Sequence, residues 1–128
     1  MSPQLFCELY IDTDESAEEL ENAMNQAGRE AFRDLSVEVV TYRNEDFEPP
    51  TRQCSPHSAI ECSRYYAEVA ARSAPIDRAD EFQSGTAALV RALREGGRFV
   101  SASCDFEGVI ADLTGWNWSR DNPEPPGR

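Results

Sequence analysis

The sequence predicts an α+β fold in which two β-α-β units share one antiparallel sheet. Three observations carry that expectation: four segments with strand-like patterning, two with apolar residues at helical spacing, and their order along the chain. Leu5, Cys7, Leu9 and Ile11 alternate with Phe6, Glu8 and Tyr10, the period of a strand buried on one face. Asp12-Thr13-Asp14 breaks the strand, and Ser16 followed by Glu19 has the spacing of a capping box. Ala17, Leu20, Ala23, Met24 and Ala27 then recur at helical intervals. Gly28 is placed to end this helix, with Ala31 and Phe32 able to extend it.

Val37, Val39 and Thr41, with Val40 and Tyr42 on the other face, predict a second strand rich in β-branched residues. An irregular stretch from Asn44 to Glu61 follows, broken by Pro49-Pro50 and Ser55-Pro56. A third strand is expected from about Ser63 to Arg72, with Tyr65, Ala67, Val69 and Ala71 on one face, ended by Ala74-Pro75. Asp77 or Asp80 can cap a second helix whose inward side is Phe82, Ala88 or Leu89, and Leu93. Gly96-Gly97 stops it, and Phe99 to Cys104 reads as the fourth strand. A short helix over 106–113 would bring Phe106, Ile110 and Leu113 together, closed by Thr114-Gly115.

This order is that of the ferredoxin-like β-α-β-β-α-β sandwich, a four-stranded antiparallel sheet with helices on one face and the first and third strands central. The helices are expected near Ser16–Ala27 and Asp80–Glu95, over a core of Leu5, Leu9, Leu20, Met24, Val39, Val69, Phe82, Leu89 and Phe99. Residues 1–122 read as one domain, large enough to bury a core without disulfides, and residues 123–128 as a frayed tail.

Charge is distributed unevenly over this frame. Thirteen of the 24 acidic residues lie between Glu8 and Glu48, where there are only three arginines, and the whole chain carries a net charge of −12. An acidic surface of this kind repels nucleic acid and anionic membranes and steers basic surfaces toward it. All 12 basic residues are arginine, a bias that points to a GC-rich bacterial genome. The N-terminus lacks the basic-then-apolar pattern of a signal peptide, no stretch approaches the roughly 20 apolar residues of a membrane span, and a cytoplasmic location is expected. The four cysteines are then expected to be reduced thiols, with Cys7 and Cys104 acting as small core hydrophobes.

A catalytic constellation is hard to assemble. His57 is the single histidine, on the irregular stretch between Cys54 and Cys62, where a Cys–His dyad would have no evident third orienting group. Cys54, His57 and Cys62 are ligand types that zinc favours, but their spacing matches no standard framework, so neither a metal nor another cofactor is expected. No glycine-rich phosphate cradle precedes a helix. Asp12, Asp14 and Glu15 at the strand-to-helix turn could bind a divalent cation, though acids there also complement the helix dipole.

Binding is the better expectation. Glu45, Asp46 and Glu48 flank Phe47 in a loop too long for a simple hairpin, and such loops are often binding elements. With Asp14 and Glu15 they form the expected contact set for a basic protein partner, Phe47 serving as apolar anchor. Trp116 and Trp118 are either further anchors or a seal on the edge of the core.

The stretch Ser103-Cys104-Asp105-Phe106-Glu107, ending in Leu113-Thr114-Gly115-Trp116, is similar in character to the end of some immunity proteins of bacterial polymorphic toxin systems. Size, acidity and architecture over most of the chain resemble that group too. The resemblance implies a non-catalytic protein that binds and inhibits a cognate toxin domain in the producing cell. Two other classes stay open. One is a small-molecule-binding or oligomerising regulatory module using the open sheet face, which Phe6, Tyr10, Tyr42 and Tyr66 would line; the other is a ferredoxin-like enzyme.

Overall fold

The computed structural model describes residues 5–33, 35–45, 63–71 and 78–114. The alternation that begins at Leu5 becomes β1 (Phe6–Asp12), which pairs antiparallel with β3 (Tyr65–Ala70) on one side and β4 (Phe99–Ser103) on the other. The remaining strand, β2 (Glu38–Arg43), pairs antiparallel with β3. The order across the sheet is β2-β3-β1-β4, so the first and third strands are central. Helix α1 (Ala17–Ala31) follows β1, α2 (Ala79–Glu95) follows β3, and α3 (Glu107–Thr114) follows β4. The fold is the ferredoxin-like α+β arrangement that the sequence predicts.

Strand parity decides what is buried. Cys7, Leu9 and Ile11 of β1, Ala67 and Val69 of β3, and Val100 and Ala102 of β4 share one face. They meet Leu20 and Met24 of α1, Phe82, Leu89, Val90 and Leu93 of α2, and Ile110 of α3 in a single core cluster. Non-directional burial of these side chains is the main stabilising force. Aromatic packing joins the helices, with Phe82 stacked on Phe32 at 5.8 Å between centroids and edge-on to Phe106 at the same distance.

The helix ends follow local chemistry. Ser16 and Glu19 form the full capping box: Ser16 Oγ accepts from the Glu19 N–H at 3.2 Å, and the Ser16 N–H donates to Glu19 Oε1 at 3.0 Å. At the end of α2, the Gly97 N–H donates to the Arg94 carbonyl and the Arg98 N–H to the Leu93 carbonyl, a Schellman closure. Gly97 supplies the required positive φ of 90°.

Several expectations are corrected. Phe99 is 37% exposed, because it lies opposite Asp12 on the sheet face away from the described helices while Val100, opposite Ile11, takes the core position. Leu5 and Val39 are only partly buried, Leu5 at the start of a strand and Val39 on an edge strand. Gly28 does not end α1; it is buried inside the helix, where an added Cβ would lie 3.6 Å from Val39 Cγ2. Asp80 does not cap α2 but lies in its first turn, the N-cap being Arg78 without a side-chain cap bond, and Asp77 is outside the described residues. On the inward side of α2 Leu89 is buried and Ala88 exposed. Leu113 is 43% exposed, separate from buried Phe106 and Ile110. The tail at 123–128 lies outside the described residues.

Candidate binding surface

The acidic β1–α1 turn is anchored by three residues distant in sequence. Arg98 grips Glu15 in a two-pronged pair, Nε to Oε1 at 2.6 Å and Nη2 to Oε2 at 2.8 Å. Arg64 Nη1 reaches the Thr13 carbonyl at 2.8 Å and Asp14 Oδ1 at 2.5 Å, while its backbone N–H donates to Asp12 Oδ1 at 3.3 Å. The buried Tyr65 donates its hydroxyl to the Glu15 carbonyl at 2.8 Å. Hydrogen bonding from Arg98 holds the Glu15 carboxyl below its usual range, whereas burial pushes Asp12 up against the opposing pull of Arg64.

These pairs divide the predicted acids by role. The Glu15 side chain is 29% exposed and committed to Arg98, a structural staple first. The Asp14 side chain is 98% exposed and touches Arg64 through one oxygen, so it remains presented to a partner. Asp12, Asp14, Glu15 and Glu19 border a hollow of about 430 Å³ with Thr13, Gly97 and Phe99. Among the described residues no group of three His, Cys, Asp or Glu is placed to hold a metal ion.

Glu45 stands exposed just beyond β2. Next to it, buried Asn44 donates its side-chain amide to the Ser63 carbonyl at 2.7 Å and its backbone N–H to the Arg64 carbonyl at 2.8 Å. This latch pins the two chain positions flanking residues 46–62 side by side. Arg64 also touches Asp14, so the structure gathers Asp14, Glu15 and Glu45 at one end of the sheet. Asp46, Phe47, Glu48, Trp116 and Trp118, together with Cys54, His57 and Cys62, lie outside the described residues.

The sheet face opposite the described helices carries an arrangement that no single segment reveals. Tyr42 of β2, Tyr66 of β3 and Tyr10 of β1 are register partners in one row. Tyr42 and Tyr66 stack with centroids 4.9 Å apart at 18°, and Tyr66 meets Tyr10 at 6.4 Å and 41°. The next row on the same face holds Val40, Glu68 and Glu8, the two glutamates directly opposite each other on the central strands. Tyr10 donates its hydroxyl to Glu8 Oε1, and a hydrogen bond with Glu68 raises the Tyr42 hydroxyl pKa. Period-2 parity names the tyrosines as face residues; their alignment, and the glutamates beside them, require the register.

At the far end of β1, Cys104 follows β4 at the position that continues the β1–β4 register opposite Cys7. Their thiols hydrogen-bond: that bond and burial push the Cys7 thiol up, and the same bond brings Cys104 down. Among the described residues, no helix is long and apolar enough to cross a membrane. Comparison with known proteins found no matching family model and no significantly similar curated protein or solved structure.

Proposed function

We propose that this protein is a non-catalytic acidic binding protein, an immunity protein that binds and inhibits a cognate toxin domain with a basic surface. The observation that supports the reading best is the acidic end of the sheet, where Asp14 and Glu45 stand exposed beside the Asn44–Ser63 latch. The concentration of acidic residues between Glu8 and Glu48 supplies the long-range field that would steer such a partner. Glu15, engaged with Arg98, shapes the turn that presents Asp14. Rim charges of this kind act chiefly on association rate.

The test is protection by this protein against the candidate toxin of the adjacent gene, combined with binding kinetics on the purified pair. Asp14→Asn with Glu45→Gln should slow association and flatten its salt dependence while leaving dissociation and melting temperature near wild type. If a candidate toxin neither binds the wild-type protein nor is neutralised by it, the immunity reading fails for that pair.

A further inference from the structure

We propose that the sheet face opposite the described helices is a docking surface for an arginine-bearing segment of a basic protein partner. Tyr42, Tyr66 and Tyr10 would receive guanidinium planes, and Glu8 and Glu68 their N–H donors. The proposal rests on the reading above that the partner is a basic protein, and it names the surface and chemistry by which that partner is held.

Two features of the face lead to this occupant. Glu8 and Glu68 are register partners, which places their Cβ atoms about 5 Å apart, and like charges so placed weaken a sheet. Arg64 is the single basic residue at the described positions of this face, and it is turned to Asp12 and Asp14 at the sheet's end. The register thus sets two glutamates directly opposite each other, a like-charge pairing that an external cation would relieve. The second feature is the tyrosine row, which offers stacked aromatic faces next to those carboxylates, with Tyr42 exposed and Tyr66 and Tyr10 half-buried.

A cation over an aromatic face is attracted by the ring quadrupole, and guanidinium combines that stacking with paired donation to a carboxylate. Lysine ammonium is a more strongly hydrated point charge and lacks the planar fork. Each carboxylate has about four lone-pair sites, so the tyrosine hydroxyls leave acceptors for a ligand. Nucleic acid could use the aromatic row alone, but the glutamates beside it would repel phosphates. The charge of the face selects a cationic segment.

The test uses the full chain and calorimetry with an octapeptide containing four arginines, its lysine and citrulline counterparts, and free arginine. The arginine peptide should bind, the lysine peptide about fivefold more weakly, and the neutral citrulline peptide not measurably. Glu8→Gln with Glu68→Gln should weaken the arginine peptide about tenfold, and Tyr42→Leu about fivefold. The glutamine pair should melt at or above the wild-type temperature, since a like-charge pair is removed. Equal affinity for the citrulline peptide, or undiminished binding by both variants, overturns the proposal. Free arginine binding more tightly than the peptide would assign the face to a small molecule and likewise overturn it. Failure of the immunity reading is distinguishable: a toxin that binds wild type and both sheet-face variants equally sinks the docking surface alone. A candidate toxin that does not bind, beside an intact peptide series, sinks only the immunity assignment.

Discussion

Two glycines inside helices should respond to alanine with opposite signs. At Gly85 in α2, a Cβ would lie 2.4 Å from Phe32 Cδ1, 2.5 Å from Cε1 and 3.1 Å from the Ala31 carbonyl oxygen. Ordinary carbon contacts are about 3.5–4.0 Å, so the Phe32 ring must move by about 1 Å or leave its site. Moving it is difficult, because the ring is 7% exposed and stacked on Phe82. Overpacking of this kind costs about 1–3 kcal/mol, and full loss of a buried Phe a similar amount. Better helix propensity returns about 1 kcal/mol, for a net loss of about 1 kcal/mol. At Gly28 the added methyl would meet Val39 Cγ2 at 3.6 Å, an ordinary contact, so propensity should dominate and stability rise by about 0.5–1 kcal/mol. Urea denaturation checks both. With a slope of about 2 kcal/mol per molar, the Gly85→Ala midpoint should fall by about 0.5 M at unchanged slope. Phe32→Leu should recover part of that loss in the Gly85→Ala background, a coupling expected only of residues in contact. Gly85→Ala as stable as wild type, or less harmful than Gly28→Ala, would refute the approach of α1 to α2.

Glu15→Gln should reduce the acid dependence of stability. The Glu15 carboxyl is held below its usual range by Arg98, so its stabilisation is present above the unfolded-state value and lost as pH falls through the folded-state one. Asp12, raised by burial, acts in the opposite direction, so the acid limb of a stability–pH curve should flatten or reverse in the variant. Asn44→Ala should cost about 1–3 kcal/mol, because it leaves the Ser63 carbonyl without its amide donor; thermal melts would show it. Of the two described thiols, Cys104 should alkylate first at neutral pH and buried Cys7 only on unfolding, as read by peptide mass mapping. A chelator should leave the melting temperature unchanged; a large loss, with one zinc per chain by elemental analysis, would reverse the expectation made for Cys54, His57 and Cys62.

Local chemistry made the elements legible in the amino-acid sequence. The alternation from Leu5 to Ile11, the Ser16–Glu19 capping box and Gly96-Gly97 each act over a few residues, and each element formed where they point. The order of elements implied central first and third strands, and the sheet has them. Phe99 shows the limit of that reading. Its hydrophobicity suits either face of a strand, and only the pairing of Val100 with Ile11 assigns Phe99 to the side away from the described helices. Gly28 shows the same limit in a helix, where a stop signal and a close-packing position are the same residue until β2 is laid against it.

The candidate site divides along that line. Acidity and its concentration toward the N-terminal half are properties of composition, readable without coordinates. Which acids are presented and which are consumed was decided by tertiary structure, since Arg64 and Arg98 reach Asp14 and Glu15 from more than 45 residues away. Register likewise aligned Tyr42, Tyr66 and Tyr10 and set Glu8 against Glu68. A chain specifies faces through periods of two and 3.6, which are local; it specifies neighbours across strands only through pairing, which is not.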